Sequence, residues 1–450
     1  MKKKFFCLLL FMILILDFLY SKPIYANSLI SNSVSANTLD DCLSDSNDLS
    51  ICADSCILMD KLSNKILYEK NSYNKMYPAS TTKVMTAILV CEKCSLTDIV
   101  NVSYYAVHSV PNSYSTANLK PGEQLSIKDL LHALLISSAN ESAFALAEYI
   151  ANNGNNYSLD ASSASKESFN KSIESFSAMM NSKAKEIGCL STNFVNPNGI
   201  QNENHYSTAY DLALIGKYAI NNVTIMDIVS KLSYDLPNTS VYSDTIRHLS
   251  ATNLLLKKSR SGYYEYATGL KTGYTDSADY CIIATAKKDN RDLIAVVLHS
   301  DNTTNADTSR ESDCKKLFEY GFNNYSYRSL ANSNSVATTL NIINGSKDTR
   351  SLNILVKNDV ATIVKVGNVL DVTPNIKITK YLAPIAKGEV VGTITYTAYG
   401  NTFTSDLVAE HDVYSVSYLS FILIILFVFM ILLFLVTLIN IKEKMKKSKK

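Results

Sequence analysis

Two apolar segments, one near each end of the chain, confine any soluble fold to the stretch between them. Tyr418 to Ile441 carries no charged residue. At about 1.5 Å per residue, a helix of that length crosses a hydrocarbon core about 30 Å thick. Lys442, Lys444, Lys446, Lys447, Lys449 and Lys450 follow at once, which marks this end as cytoplasmic by the positive-inside rule. The alternative, a helix buried in a soluble core, does not ordinarily run into such a cluster. At the other end, Met1-Lys2-Lys3-Lys4 precedes an apolar run from Phe5 to Leu19 broken by Asp17, and Ile24-Tyr25-Ala26 ends on a small residue. This reads as a secretory signal peptide over residues 1–26, with a transmembrane anchor as the alternative. Cys7 lies within the apolar run and not after a lipoprotein motif, so lipidation is not expected.

The expected product is an exported body held to the cell membrane by a single C-terminal span over 418–441, with a basic cytoplasmic tail over 442–450. A chain of 450 residues has room for two or three domains. A formal charge of +2, with no interior basic run, gives no electrostatic support to nucleic-acid binding. Of the nine cysteines Cys7 leaves with the signal peptide, and the eight that remain in an exported chain permit disulfides. Cys91-x-x-Cys94 also has a spacing known from zinc and redox sites, but no second pair of ligands answers it. Scattered thiols, some buried and some paired, are the simpler expectation.

Residues 27–50 are rich in Ser, Asn and Asp and read as a flexible linker. Cys56–Asp60 and Ile66–Glu69 then read as a hairpin leading into Pro78-Ala79-Ser80-Thr81-Thr82-Lys83 and the apolar run Val84–Val90. As a helix this places the Ser80 hydroxyl and the Lys83 amine on one face, with Ser80 in the first turn, where free N–H groups favour a developing oxyanion. A serine beside a lysine in a partly dry site is a nucleophile beside a base. Alone, the spacing is weak evidence.

Further on, Ser126–Asp129 is a capping-box start for the helix that follows. Ser137-Ser138-Ala139-Asn140 breaks it, and Asn140 reads as the N-cap of a helix over Glu141–Ile150, or as a carboxamide projected into a cleft together with the Ser138 hydroxyl. Phe169–Ile187 reads as an amphipathic helix, and Thr208 caps another that runs to Ile220. Gly269–Tyr274, Tyr280–Ala286 and Leu293–Leu298 read as adjacent antiparallel strands, with Lys271-Thr272-Gly273 on an edge strand lining a cleft. Cys314–Phe322 reads as a closing helix. Beyond residue 330, short β-branched segments (Leu352–Val356, Val360–Val366, Ile376–Ile378, Val390–Tyr396, Thr402–Leu407) read as a small all-β domain.

Ser80-x-x-Lys83, Ser138-Ala139-Asn140 and Lys271-Thr272-Gly273 stand in the order found in penicillin-binding proteins and class A β-lactamases. With Leu119–Glu123, Phe194–Gly199, His205–Thr208 and Lys271–Asp276, the chain resembles the D-alanyl-D-alanine carboxypeptidases, the low-molecular-mass penicillin-binding proteins that trim peptidoglycan. The resemblance runs from Cys56 to Phe322, and the β-rich segment with Pro384–Gly392 looks like the family's C-terminal domain.

It implies an α/β (α+β) penicillin-binding/β-lactamase-like catalytic domain over 51–325, its antiparallel sheet flanked by helices, a β-rich domain over 326–412 and a transmembrane helix. The implied substrates are stem peptides ending in D-Ala-D-Ala, with β-lactam antibiotics as inhibitors and no metal or other cofactor. The implied catalytic residues are Ser80 as nucleophile, Lys83 as its neutral base, Ser138 as proton relay and Asn140 as orienting carboxamide. Lys271 and Thr272, with Arg310 assisting, meet the terminal carboxylate. Gly273 lets the strand approach, and the N–H groups of Ser80 and Tyr274 form the oxyanion hole. Gly269 departs from the family, where an Asp is frequent, which leaves the packing of that strand open. A β-lactamase, which needs a carboxylate to activate its deacylating water, and a wall-binding scaffold with a relict site are the competing readings.

Overall fold

The computed structural model describes residues 49–154, 158–301, 309–368, 372–398, 401–416 and 419–447. The expected signal peptide, nearly all of the linker and the last residues of the lysine tail lie outside them.

The long apolar runs in the sequence become strands buried on both faces. The central sheet has the order β2-β1-β5-β4-β3, every neighbour antiparallel, from β1 (Ala53–Asp60), β2 (Ile66–Lys70), β3 (Ala267–Thr275), β4 (Asp279–Lys288) and β5 (Arg291–Ser300). Alternate side chains go to opposite faces. Ile57, Met59, Ile283, Ile294 and Val296 join one core, and Cys56, Leu58, Ile282, Leu293 and Val297 join the other. The expected edge-strand position of Lys271-Thr272-Gly273 is found, since β3 borders the sheet.

The larger core holds α1 (Lys83–Lys93), α2 (Ile127–Leu135), α3 (Asn140–Ala151), α4 (Ser163–Ile187), α5 (Ala209–Ala219) and α6 (Val223–Val229). Val84 to Val90 are all buried, so α1 is enclosed on every side. Ser126 and Asp129 form the expected capping box of α2, and Thr208 caps α5. On the other face, α7 (Ser309–Asn324) lays Cys314, Leu317, Phe318 and Phe322 against the sheet. A Cβ on Gly269 would stand 2.9 Å from Val229 Cγ2, so the glycine admits α6 against β3.

Three boundaries differ from the sequence reading. The first strand starts at Ala53, α4 begins at Ser163 through a Ser162 cap, and Ala139, not Asn140, occupies the cap position of α3. Cys52, Cys56, Cys91, Cys94, Cys189, Cys281 and Cys314 are free thiols.

After α7 the chain forms β6 (Tyr325–Ala331), β7 (Val336–Asn341), β8 (Ser351–Val356), β9 (Val360–Lys365), β10 (Asn375–Ile378), β11 (Val390–Ala398) and β12 (Asn401–Ala409). These make a sheet of order β7-β8-β12-β11-β10 beside the β6-β9 pair, closed over a separate core that includes Leu352, Ile354, Ile394 and Leu407. The final helix, α8 (Leu419–Lys447), contains a span-length apolar stretch over Ile422–Lys442, none of it buried against the rest of the protein.

A polar joint ties the β-rich part to the central sheet. Asp60 is buried at the end of β1, and burial holds its carboxyl above the usual range. It accepts hydrogen bonds from Ser63 N (2.7 Å), Ser63 Oγ (2.6 Å) and the Tyr327 hydroxyl (2.8 Å) of β6. Tyr327→Phe should lower the free energy of unfolding by about 1–3 kcal/mol, read from the urea midpoint.

Candidate active site

Ser80 lies in a 3-10 turn, Ala79–Thr82, that feeds directly into α1, so it precedes the α-helix and does not belong to its first turn. Thr81 tightens that turn through its N–H and its hydroxyl, both of which bond to Pro78 O. Ala79, just ahead of Ser80, has φ +46°, a left-handed conformation that costs a non-glycine residue energy. Two glycines press on this turn from outside. A Cβ at Gly199 would stand 1.8 Å from Ala79 O, and one at Gly273 would stand 2.8 Å from Ser80 N. Both contacts need bare backbone.

The Lys83 side chain is fully buried, at 0% exposure. Its Nζ lies 2.8 Å from Ser80 Oγ, 2.9 Å from Asn140 Oδ1 and 2.7 Å from the backbone carbonyl of Asn198. Burial, then the nearby Lys271 charge, hold the amine well below the usual lysine range, and Glu141 opposes them. The Asn140 amide has its orientation fixed, because Nδ2 and the backbone N–H both donate to Ser115 O, at 2.9 and 3.0 Å. This is why Asn140 does not cap its own helix: its side chain is engaged between Lys83 and Ser115.

Lys271 is 1% exposed, donates to Thr272 O (2.9 Å), and is pushed down to about 7 by burial and then by the Arg310 guanidinium. Thr272 Oγ1 pairs with Thr252 Oγ1 at 2.6 Å. Arg310 donates from Nη1 to Gly273 O (3.1 Å) and from Nε to the buried Glu311 (2.9 Å), with its guanidinium over the Tyr280 ring. Tyr274 is 47% exposed and packs its ring at a tilt against Tyr280. His205, buried beside this cluster, accepts from Val195 N–H at Nδ1 and so donates from Nε2 to Thr82 Oγ1 (2.8 Å). Burial, then the Lys83 charge, push it down to about 3, so the ring stays neutral.

Ser80, Lys83 and Asn140 are therefore in direct contact, and Lys271, Gly273 and Arg310 adjoin them. Ser138 is not hydrogen-bonded into the set. It sits at φ +63° in the α2–α3 turn, and among the described residues its hydroxyl makes no hydrogen bond. The sequence reading missed Asn198 and Thr252. Asn196-Pro197-Asn198-Gly199 is legible as a turn, but a contact made through a backbone carbonyl leaves no signature in residue type.

This sheet, with a serine–lysine turn against its edge strand, is the architecture of the penicillin-recognising serine enzymes. The profile of the D-alanyl-D-alanine carboxypeptidase family matches residues 43–302, and that of the penicillin-binding protein 5 C-terminal domain matches residues 325–415. D-alanyl-D-alanine carboxypeptidase DacF of Bacillus subtilis is 30% identical over 383 residues, covering 82% of this chain and 87% of the relative. DacC of Escherichia coli is 30% identical over 363 residues, covering 78% and 82%. The structure of penicillin-binding protein 5 from Haemophilus influenzae is similar with a TM-score of 0.60 at 28% identity, covering 81% of this chain and 98% of that one. The chain belongs to the D-alanyl-D-alanine carboxypeptidase family.

Gly199→Ala should displace Ala79 and Ser80 and slow covalent labelling by a penicillin about 100-fold. Stopped-flow labelling alongside a thermal melt separates this from global unfolding.

Proposed function

We propose that this protein is a membrane-tethered serine carboxypeptidase that removes the terminal D-alanine from peptidoglycan stem peptides through an acyl-enzyme on Ser80. The domain boundaries are those read from the sequence, 51–325 for the catalytic domain and 326–412 for the β-rich domain. The signal peptide exports both, and α8 holds them at the outer face of the cell membrane with the lysine tail in the cytoplasm.

The observation that carries the reading is the set of contacts around Lys83. Asn140 Oδ1 and Asn198 O can only accept hydrogen bonds. A neutral amine gives its two N–H groups to them, which leaves its lone pair for the Ser80 hydroxyl. Ser80 Oγ then attacks the carbonyl carbon between the two D-alanines as its proton passes to Lys83. The N–H groups of Ser80 and Tyr274 hold the oxyanion. On collapse the C–N bond breaks, the proton held on Lys83 passes through the Ser138 hydroxyl to the leaving D-alanine amine, and the ester is left on Ser80. Water cleaves the ester and frees the shortened stem peptide. Lys271 and Thr272 of β3, with Arg310 of α7, hold the terminal carboxylate, and Gly273 lets β3 approach. A penicillin enters as a stand-in for the D-Ala-D-Ala amide and stays as a slowly released ester.

Lys83→Arg should reduce penicillin acylation of Ser80 at least about 1,000-fold, because a guanidinium does not give up its proton. Intact-protein mass spectrometry reads the adduct, and D-alanine release from a D-Ala-D-Ala peptide should fall with it. Normal acylation in this variant would sink the assignment of the base.

Lys271 sets an alkaline limb. Its charge is present below about 7 in the free enzyme and is lost as pH rises through that value. The kcat/KM for a carboxylate-ended peptide should therefore fall on the alkaline side. Acylation by a penicillin methyl ester, which lacks that carboxylate, should show no such limb.

A further inference from the structure

Glu141 follows Asn140 in the first turn of α3, yet its side chain is 1% exposed. Its Oε1 accepts the N–H groups of Ala117 (2.6 Å) and Leu119 (3.3 Å). Those residues follow Ser115, whose carbonyl takes both donors of Asn140. Adjacent residues of α3 thus grip one short segment at two points, and the orientation of the Asn140 amide on Lys83 depends on that grip. The other carboxylate oxygen, Oε2, is buried and has no hydrogen-bond partner among the described residues. A desolvated carboxylate oxygen left this way is costly unless a charge faces it.

The charged groups that face Lys83 are Lys271 from β3 and Glu141 from α3, and the neutral His205 ring adjoins it. The mechanism given above uses Lys271 and leaves Glu141 without a task. We propose that Glu141 is a positioning residue of acylation: it anchors the 115–119 segment that fixes the Asn140 carboxamide, and it sets its buried carboxylate against the ammonium that forms on Lys83. The proton in this step comes from the Ser80 hydroxyl and ends on Lys83 Nζ. Glu141 neither accepts nor donates it. Its charge stabilises the ammonium at the moment Ser80 Oγ bonds to carbon, and in the resting enzyme it opposes the burial and the Lys271 charge that hold the amine neutral. The result is a stronger base than burial alone would leave. Reciprocally, burial holds the Glu141 carboxyl above the usual range, and hydrogen bonds from its own N–H and those of Ala117 and Leu119, then the Lys83 charge, draw it back.

This inference rests on the reading of Lys83 as base, and its test separates the two. Glu141→Gln keeps an oxygen for Ala117 and Leu119 but removes the charge. The rate of penicillin acylation is measured against pH for the wild type and this variant, with Lys83→Arg as the control on the base itself. In Glu141→Gln the acidic limb should move to lower pH and the plateau should fall about tenfold. A residue that only held the loop would lower the plateau and leave the limb in place, so an unshifted limb with an inactive Lys83→Arg overturns this inference alone. Active Lys83→Arg overturns the reading beneath it. Should Glu141→Gln fail to fold, NMR titration of 13C-labelled glutamate in the wild type and in Lys83→Met decides. The Glu141 carboxyl should titrate at higher pH once the lysine is gone, and an identical titration in both proteins overturns the proposal.

Discussion

The fold depends at its centre on one amine kept out of water. Moving a charged ammonium into a protein interior costs several kcal/mol even after relaxation. Lys83 is fully buried and surrounded by three oxygens from three separate segments, on the turn before α1, at the start of α3, and in the Asn196–Gly199 turn. Those segments are far apart in sequence, and only the packed sheet and helices bring them together. The apolar run Val84–Val90 serves this requirement directly, since a helix enclosed on all sides cannot swing its first residue back towards solvent.

Charge continues outward from Lys83 in a graded series. Lys271 depresses Lys83, Arg310 depresses Lys271, and the buried carboxylates Glu141 and Glu311 lie at opposite ends of the row. Each cation makes its neighbour easier to neutralise, and the low dielectric of the site strengthens the effect. An arriving carboxylate finds Lys271 and Arg310 already placed, with Glu311 and Gly273 O holding the guanidinium. One row of residues therefore meets opposite demands, an uncharged base at one end and a charged anchor at the other, because burial and neighbours differ along it.

Much of this was legible in sequence wherever a side chain does the work. Ser80, Lys83, Asn140 and Lys271 announce their chemistry by residue type, and the burial of β1, β4 and β5 on both faces follows from continuous apolar runs. Boundaries were harder. Helix α4 begins in Ser163-Ala164-Ser165-Lys166, which has no apolar periodicity, and β6 and β7 are largely exposed, so neither carries a burial pattern to read. Asn140 has every local mark of an N-cap, but Ser115 O and Lys83 outcompete its own helix for the carboxamide. The contacts of Asn198 O, Ser115 O and Gly199 are made through backbone, which residue identity does not advertise.

Those silent contacts hold the serine–lysine turn as firmly as any side chain does. A Cβ at Gly199 or Gly273 would collide with the backbone of the Ala79–Ser80 turn, and Ala79 holds a left-handed φ that an isolated chain would abandon. The turn keeps its shape because two other segments, each reduced to bare backbone, close on it from outside. Side chains of the right kind, grafted onto a scaffold without these approaches, would place Ser80 Oγ and Lys83 Nζ on one helix face but leave the backbone N–H of Ser80 free to drift from where an oxyanion forms. Displacements of about 1 Å cost such a site about 100-fold in rate, so the glycines that carry no chemistry constrain the reaction as strictly as the lysines that do.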